Sequence, residues 1–197
     1  MVINENPSAY ADGSDKNRPL AQAVSTTVMW NDTDIPLAYL ITFRCYGTWL
    51  HGDERGSVDR FHNKYQSPYI SPQKSWRQYN ERQLKSEIVR LDAQQRKVVE
   101  EAVREVCDHK NWLLRAINVR TNHVHMVVST GSIKPEHALN AFKSYSTRRM
   151  RESGYWNSDK SPWADKGSKR RLWNERSVEL AIDYVINGQG DKLPDFD

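Results

Sequence analysis

The order of strands and helices in this sequence predicts an α+β fold of the ferredoxin-like type, with a βαββαβ core. Three observations lead to that prediction: a strand near 37–47, a hairpin near 112–130, and one helix on each side of the hairpin. In such a fold the four strands form an antiparallel sheet with the helices on one face. A further C-terminal helix, which carries a tyrosine, follows the core.

The first strand and the first long helix have clear local signals. LAYLITFRCYG, residues 37–47, is β-branched and aromatic and ends in a glycine. Residues 48–90 are polar and aromatic without a clear period, which favours a functional loop with short helices. In DAQQRKVVEEAVREVCDHK, Asp92 and Gln95 form a capping box, and the apolar residues recur on one helical face.

The hairpin and the second helix follow. WLLRAINVR and HVHMVVST are two strands joined by a tight connection at 120–122. Pro135 begins a helix that we expect to run to about Arg151.

The C-terminal elements are shorter. RRLWNE, residues 170–175, is predicted as the fourth strand, after a basic loop at 154–170. Ser177 is the expected N-cap of the last helix, VELAIDYVIN, which Gly188 ends.

The chain is interpreted as one domain with an N-terminal extension. Residues 1–34 are rich in Asn, Ser, Asp and Gly and predict a flexible arm, so the folded domain is placed at 35–197. No apolar run approaches the roughly 20 residues that span a bilayer, and the N-terminus lacks the apolar core of a signal peptide. We expect a cytoplasmic protein without a membrane partner.

Positive charge is concentrated in one segment. Residues 143–176 contain ten Lys or Arg against four Asp or Glu, a local excess of +6 in a chain whose formal net charge is +4. Trp156, Trp163 and Trp173 lie among these cations. Cations neutralise phosphates and indoles stack on unpaired bases, so nucleic acid is a reasonable partner; a solvated face over a few packed aromatics is the alternative.

His123 and His125 lie in the predicted strand TNHVHMVVS, separated by one valine. Because side chains alternate along a strand, both imidazoles point to one face, with origins about 6.6 Å apart. Neutral imidazole is a common ligand of divalent metals, so the pair is a candidate metal platform on the open face of the sheet. Two solvent-facing histidines are the alternative.

Four segments in this order, HVHMVV, LNAFKSYSTRRM, RRLWNE and AIDYVINGQG, resemble the single-tyrosine transposases of the HUH endonuclease superfamily, and most closely their REP-associated relatives. The resemblance covers about residues 37–190. It implies metal-dependent cleavage and strand transfer on single-stranded DNA with a REP-like hairpin, through a 5′-phosphotyrosine. The implied ion is Mg²⁺ or Mn²⁺, and two imidazoles slightly favour Mn²⁺.

The resemblance also implies the roles of individual residues. It places the nucleophile on the final helix, at Tyr184, rather than at Tyr145 on the preceding helix. In the family the third metal ligand is commonly an amide one helical turn after the nucleophile. This sequence has Gly188 there, so Asn187 and Gln189 are the alternative ligands.

The basic residues of the two later segments are candidate DNA-phosphate contacts. They are Lys143, Arg148, Arg149, Arg151, Lys169, Arg170 and Arg171. Two other functions stay open: a catalytically inactive DNA-binding protein derived from a transposase, which the Gly188 departure motivates, and a related HUH enzyme of replication or plasmid transfer. Whether the chain works as a monomer or a homodimer is also left open.

Overall fold

The computed structural model describes residues 35–54, 56–57, 70–191 and 193, so the predicted arm at 1–34 lies outside the described residues. The described elements alternate as the sequence predicts, with one additional short helix. They are β1 (Ala38–Cys45), α1 (Lys74–Arg82), α2 (Ala93–Lys110), β2 (Leu113–Val119), β3 (His123–Ser129), α3 (Pro135–Glu152), β4 (Trp163–Leu172) and α4 (Glu175–Asn187). The short helix α1 lies within the polar segment 48–90, as expected.

The four strands form one sheet in the order β2-β3-β1-β4, with every neighbouring pair antiparallel. This arrangement confirms the α+β fold and the ferredoxin-like order that the sequence predicts. The two central strands, β1 and β3, pair Thr42 with His125 and Arg44 with His123. The histidine strand therefore lies in the middle of the sheet.

The two faces of the sheet are covered differently. One face carries Phe43, Val124 and Met126 and packs under α2 and α3, whose buried residues include Val103 and Phe142. The opposite face carries the histidines together with an apolar cluster under α4: Ala38, Ala116, Val127, Leu172, Val178, Ala181 and Val185. The expectation of an open histidine face is therefore wrong, because α4 covers part of it.

Side-chain caps fix where α2 and α4 begin. The Asp92 carboxylate accepts a hydrogen bond from the Gln95 backbone N–H at 2.7 Å, and the Gln95 side chain accepts from the Asp92 N–H at 3.0 Å. The predicted capping box is confirmed. At α4 the cap is Asn174 rather than Ser177, because the Asn174 side-chain oxygen accepts from the Ser177 N–H at 2.8 Å.

Strand β4 begins at Trp163, seven residues before the predicted start. The residues between are mostly polar and include Asp165, Lys166, Ser168 and Lys169, a composition that sequence reading assigns to a loop. The strand forms because β4 is an edge of the sheet, where charged side chains can point to solvent on either face. None of the helices in the described part of the chain is long and apolar enough to cross a membrane.

Candidate active site

His125 lies on the α4 face of β3 and is buried, with 8% of its surface exposed. Its Nδ1 is 2.6 Å from the hydroxyl of Thr42, its partner across the strand pair. Burial, with a smaller contribution from His123, lowers the pKa of His125 to about 3. The imidazole is therefore neutral at neutral pH, which is the form that binds a metal ion.

The proton position on His123 follows from its neighbour. Nδ1 of His123 lies 2.6 Å from the Asn122 side-chain oxygen, which accepts but cannot donate a hydrogen bond. Nδ1 of neutral His123 therefore carries the proton, and Nε2 carries the lone pair. The two imidazole rings meet edge to face with centroids 4.5 Å apart.

Gln189 reaches the histidines from just beyond the end of α4. Its Nε2 donates to the Tyr184 carbonyl at 3.0 Å, which turns its Oε1 toward His123. Oε1 lies 3.3 Å from Nε2 of His123. In the neutral His123 tautomer described above, both of these atoms are acceptors, and a cation between them would stabilise the contact.

This donor set fits a small divalent ion. For an ion bound at about 2.1 Å, two ligands at right angles lie about 3.0 Å apart, close to the separation of His123 Nε2 and Gln189 Oε1. An amide oxygen suits Mg²⁺ and Mn²⁺, and imidazoles move the preference toward Mn²⁺. Among the residues that the structure describes, no three His, Cys, Asp or Glu side chains cluster, and the Gln189 amide oxygen is a further donor atom beside the two histidines.

Tyr184 lies beside the histidines on α4. Its ring packs edge-on against His125 with centroids 5.4 Å apart, and 44% of the residue is exposed. Val178, Ala181 and Val185 bury one side of the helix against the sheet, which leaves Tyr184 at the margin of that contact. Ile186, on the same helix, is 58% exposed and does not anchor it to the sheet.

The turn after α4 separates the two alternative amide ligands. Helix α4 ends at Asn187, and Gly188 forms its C-cap. The Asn187 amide donates to the Asp183 carboxylate at 2.8 Å, in an exposed position. Gln189 is therefore the amide that the structure brings to His123, and Asn187 is engaged elsewhere.

Tyr145 lies on the other side of the sheet from the histidines. It packs against the core under α2 and α3, and the Arg148 guanidinium covers its ring at 4.3 Å from the centroid. Together with α2 residues such as Glu101 and Glu105 it lines a groove between the two helices. The structure therefore brings Tyr184, and not Tyr145, to the histidine pair.

The basic residues predicted to contact DNA are spread over both faces of the molecule. Arg148, Arg149 and Arg151 are exposed on α3, on the side of the sheet away from the histidines. On β4, Arg170 pairs with Leu40 and so points to the histidine face, while Lys169 and Arg171 point to the α3 face. Lys169 is also 3.1 Å from Glu136.

Lys143 has a structural role that the sequence did not predict. Only 9% of the surface of Lys143 is exposed. Its ammonium donates to the carbonyls of Ala164, Asp165 and Lys166 at 2.6–3.1 Å. These carbonyls belong to the irregular start of β4, opposite the register shift between Phe43 and Cys45. The predicted DNA contact at Lys143 is therefore corrected: its side chain holds the start of β4 in place.

The three tryptophans of the basic segment also differ. Trp163 is 3% exposed, stacks edge-on against Phe43 and donates its indole N–H to Thr147 at 3.0 Å. Trp156 is half-buried and donates to the Lys160 carbonyl. Trp173 is 44% exposed, so of these three it is the indole accessible to a base.

Sequence reasoning missed the residues that support the histidines. Thr42 and Asn122 each contact one Nδ1, and the Asn118 side chain donates to the Val185 carbonyl at 2.9 Å, which ties α4 to β2. Asn122 precedes His123 directly and could have been considered from the sequence. Thr42 could not, because its contact depends on the register between strands 83 residues apart.

Comparison with known proteins gives one family match. Residues 83–178 match the family model of IS200-like transposases; the match contains both histidines and ends before Tyr184 and Gln189. No curated protein sequence matches the chain.

Two solved structures also match this chain. A REP-associated tyrosine transposase bound to a REP hairpin matches with a TM-score of 0.42 and 12% identity, over 77% of this chain and 66% of that chain. A candidate transposase from Deinococcus radiodurans R1 matches with a TM-score of 0.40 and 14% identity, over 81% of this chain and 96% of that chain. This chain thus spans just under two thirds of the first structure. Residues 83–178, which hold the histidine pair, are thus similar to IS200-like transposases.

Proposed function

We propose that the protein is a transposase that cuts and rejoins single-stranded DNA through a covalent link to Tyr184. The observation that supports this most directly is the position of the Tyr184 ring, 5.4 Å from the His125 ring and on the same face as His123. A nucleophile and two metal-binding imidazoles thus meet on one side of the sheet. The hairpin part of the proposed substrate, a REP-like palindrome, rests on the sequence resemblance.

His123, His125 and Gln189 would hold the divalent ion, Mg²⁺ or Mn²⁺. When bound, the ion would polarise the oxygens of the scissile phosphate. Thr42 and Asn122 keep the two imidazoles oriented through their Nδ1 atoms, and burial keeps His125 neutral. The chain thus supplies both the ligands and the groups that orient them.

In the proposed reaction the Tyr184 hydroxyl oxygen attacks a DNA phosphorus. A bond forms between that oxygen and phosphorus, and the bond from phosphorus to the 3′ oxygen breaks. The phenol loses its proton and the departing 3′ oxygen gains one. The product is a 5′-phosphotyrosine and a free 3′-hydroxyl, so a second 3′-hydroxyl can reverse the step without a nucleotide cofactor.

All groups in this site come from one chain. Tyr184 and Gln189 reach the histidines of the same molecule. The proposal therefore does not require a homodimer. A DNA substrate also agrees with the cytoplasmic location expected from the sequence.

The test is the covalent adduct. We would incubate the protein with a labelled single strand that carries a hairpin, in the presence of Mn²⁺, and separate the products on a denaturing gel. The wild type and Tyr145→Phe should form a protein–DNA adduct, and Tyr184→Phe should form none while it still binds the strand. An adduct that survives in Tyr184→Phe and disappears in Tyr145→Phe would reverse the assignment.

The same assay separates the second candidate function, an inactive DNA-binding protein. That candidate was motivated by Gly188 at the position where the family commonly has an amide. The position of Gln189 beside His123 counts against it, since an amide oxygen is present at the site despite the change. Binding of the strand by the wild type without adduct or nicked product would favour the inactive protein.

A further inference from the structure

We infer that a single DNA strand reaches the site along the histidine face of β1 and β4, in a strip that α4 leaves uncovered. This inference rests on the proposed function, and it names the path of the substrate. We call the strip the strand track and define it by Arg44, Thr42, Ser168 and Arg170. Of these residues, only Arg170 was a candidate DNA contact from the sequence. The sequence also predicted that the tryptophans of the basic segment, Trp173 among them, could stack on bases.

The strand register places the track beside the histidines. Thr42 pairs with His125 on one side and with Ser168 on the other, so the three side chains form a row across the sheet on one face. Arg170 pairs with Leu40, one row further along the same face. Ser168 and Arg170 are exposed.

Helix α4 lies over the other half of this face. Its C-terminal end is tied to β2 by Asn118, which donates to the Val185 carbonyl. The chain beyond α4 is tied by Arg120, which directly follows β2 and donates to the Asp191 carbonyl at 2.7 Å. The helix contacts β2 and β3 more extensively than β4. The polar row on the β1–β4 side is therefore left as a strip between α4 and the edge of the sheet.

The two ends of the track carry groups suited to a DNA strand. Arg44 pairs with His123, and its guanidinium is held by Trp49, with 3.3 Å to the Trp49 carbonyl and 4.9 Å to the ring centroid. A guanidinium held in place recognises phosphate oxygens well. Beyond the other end, Trp173 directly follows β4 where the chain passes to α4, and its exposed indole offers a flat surface for a base.

The neighbouring residue Arg171 provides a matched control. It lies on the same strand as Arg170 with the same charge, but it pairs with Tyr39 and points to the α3 face. Lys169, two residues earlier and on the same face of β4, lies 3.1 Å from Glu136 of α3, which agrees with this orientation. A general attraction between a basic protein and DNA would involve both arginines equally, whereas the track involves only Arg170.

The experiment measures binding in the Tyr184→Phe background, so that no cleavage occurs. The probe is a fluorescein-labelled oligothymidylate of about 20 nucleotides, longer than a typical single-strand site. Its affinity is measured by anisotropy at several salt concentrations.

Each phosphate contact to a single strand contributes about 0.7 to the slope of log affinity against log salt concentration. Arg170→Ala and Arg44→Gln should each reduce the slope by about that amount, and Arg171→Ala should leave it unchanged.

Trp173→Ala should act differently from the arginine variants. Loss of one stacked base should weaken binding by roughly 5- to 150-fold, while the salt slope stays the same because stacking releases no counterions. The circular dichroism of each variant serves as the check that the fold is retained. A variant that fails this check is replaced by Arg170→Gln or Trp173→Leu, which keep more of the side-chain volume.

The possible results separate the inference from the proposed function. Equal slopes for Arg170→Ala and Arg171→Ala would overturn the track, as would unchanged affinity in Trp173→Ala. Binding of a hairpin-bearing strand without binding of oligothymidylate would also overturn it and leave the proposed function standing. If the Tyr184→Phe protein binds neither DNA, the proposed function itself fails.

Discussion

The side-chain oxygen of Gln189 lies 3.3 Å from Nε2 of His123, although 66 residues separate the two along the chain. The contact is possible because α4 ends at Asn187 and the chain turns at Gly188, which brings the next residue back toward the sheet. The Gln189 amide nitrogen is held at the same time by the Tyr184 carbonyl. The candidate ligand and the candidate nucleophile are therefore linked directly.

Replacement of Gln189 by alanine should weaken Mn²⁺ binding. Loss of a group that supports a metal ligand typically lowers metal affinity by roughly 10- to 100-fold. Loss of the ligand itself should lower the affinity by at least as much. Electron paramagnetic resonance of free Mn²⁺, in a titration without DNA, measures this affinity directly. Gln189→Glu should retain binding because a carboxylate oxygen can take the same position.

Asn187→Ala is the control for this prediction. The Asn187 amide contacts Asp183 on the exposed side of α4, so its removal should leave the Mn²⁺ affinity unchanged. Equal loss of affinity in the two alanine variants would show that the end of α4 acts only through its fold. Loss in Asn187→Ala alone would make Asn187 the ligand.

Thr42 should determine which nitrogen of His125 is available for the proposed metal ion. When the Thr42 hydroxyl accepts from Nδ1–H, the lone pair of His125 is on Nε2. Thr42→Val keeps the shape of the side chain and removes the hydroxyl, so Mn²⁺ affinity should fall roughly 10- to 100-fold. Thr42→Ser, which keeps the hydroxyl, should bind close to the wild type.

Two further measurements make the Thr42 result specific. The melting temperature of the metal-free protein shows whether the valine variant is folded as well as the serine variant. The salt dependence of single-strand binding shows whether the DNA surface is intact. Similar Mn²⁺ affinities for Thr42→Val and Thr42→Ser would remove Thr42 from the metal site.

Much of the fold could be predicted from the sequence because its signals are local. The capping box at Asp92, the alternation around His125 and the proline at the start of α3 each lie within a few residues. The start of β4 could not be predicted, since an edge strand with charged residues on both faces has the composition of a loop. The contact between Thr42 and His125 depends on strand register, which no local pattern encodes.

The candidate site was likewise predictable only in part from the sequence. The sequence resemblance indicated Tyr184 and the two histidines, which the structure brings together. The choice between Asn187 and Gln189 required the geometry of the turn at Gly188. The charge count around Lys143 was misleading, because the count does not distinguish an exposed ammonium from one that is buried against carbonyl groups.

Gly188→Ala should impair the reaction through Tyr184. A Cβ atom at this position would lie 2.7 Å from the Tyr184 carbonyl oxygen and 2.8 Å from a carbon of its ring, closer than van der Waals contact allows. The φ of Gly188 is −88°, which alanine adopts without strain, so the effect is steric. Because a displacement of about 1 Å can cost roughly 100-fold in rate, adduct formation should slow by about 10- to 100-fold.

Single-turnover kinetics of adduct formation measure this effect, and single-strand binding by the same variant should stay unchanged. Asn187→Ala, one residue earlier, adds no atoms near Tyr184 and should react at the wild-type rate. A Gly188→Ala protein that reacts as fast as the wild type would mean that Tyr184 occupies another position during the reaction.

Lys143→Met should destabilise the protein rather than weaken its DNA binding. The ammonium donates to three carbonyls at the start of β4, and methionine fills similar space without donating. Because each buried acceptor left unsatisfied costs about 1–3 kcal/mol, and some of these can turn to water, the free energy of unfolding should fall by about 2–4 kcal/mol. Urea denaturation measures this change.

Arg149→Met, an exposed substitution on the same helix, should alter the free energy of unfolding by less than about 0.5 kcal/mol. The opposite pattern, with stability retained in Lys143→Met and a smaller salt slope for single-strand binding, would restore the DNA contact that the charge of this segment predicted.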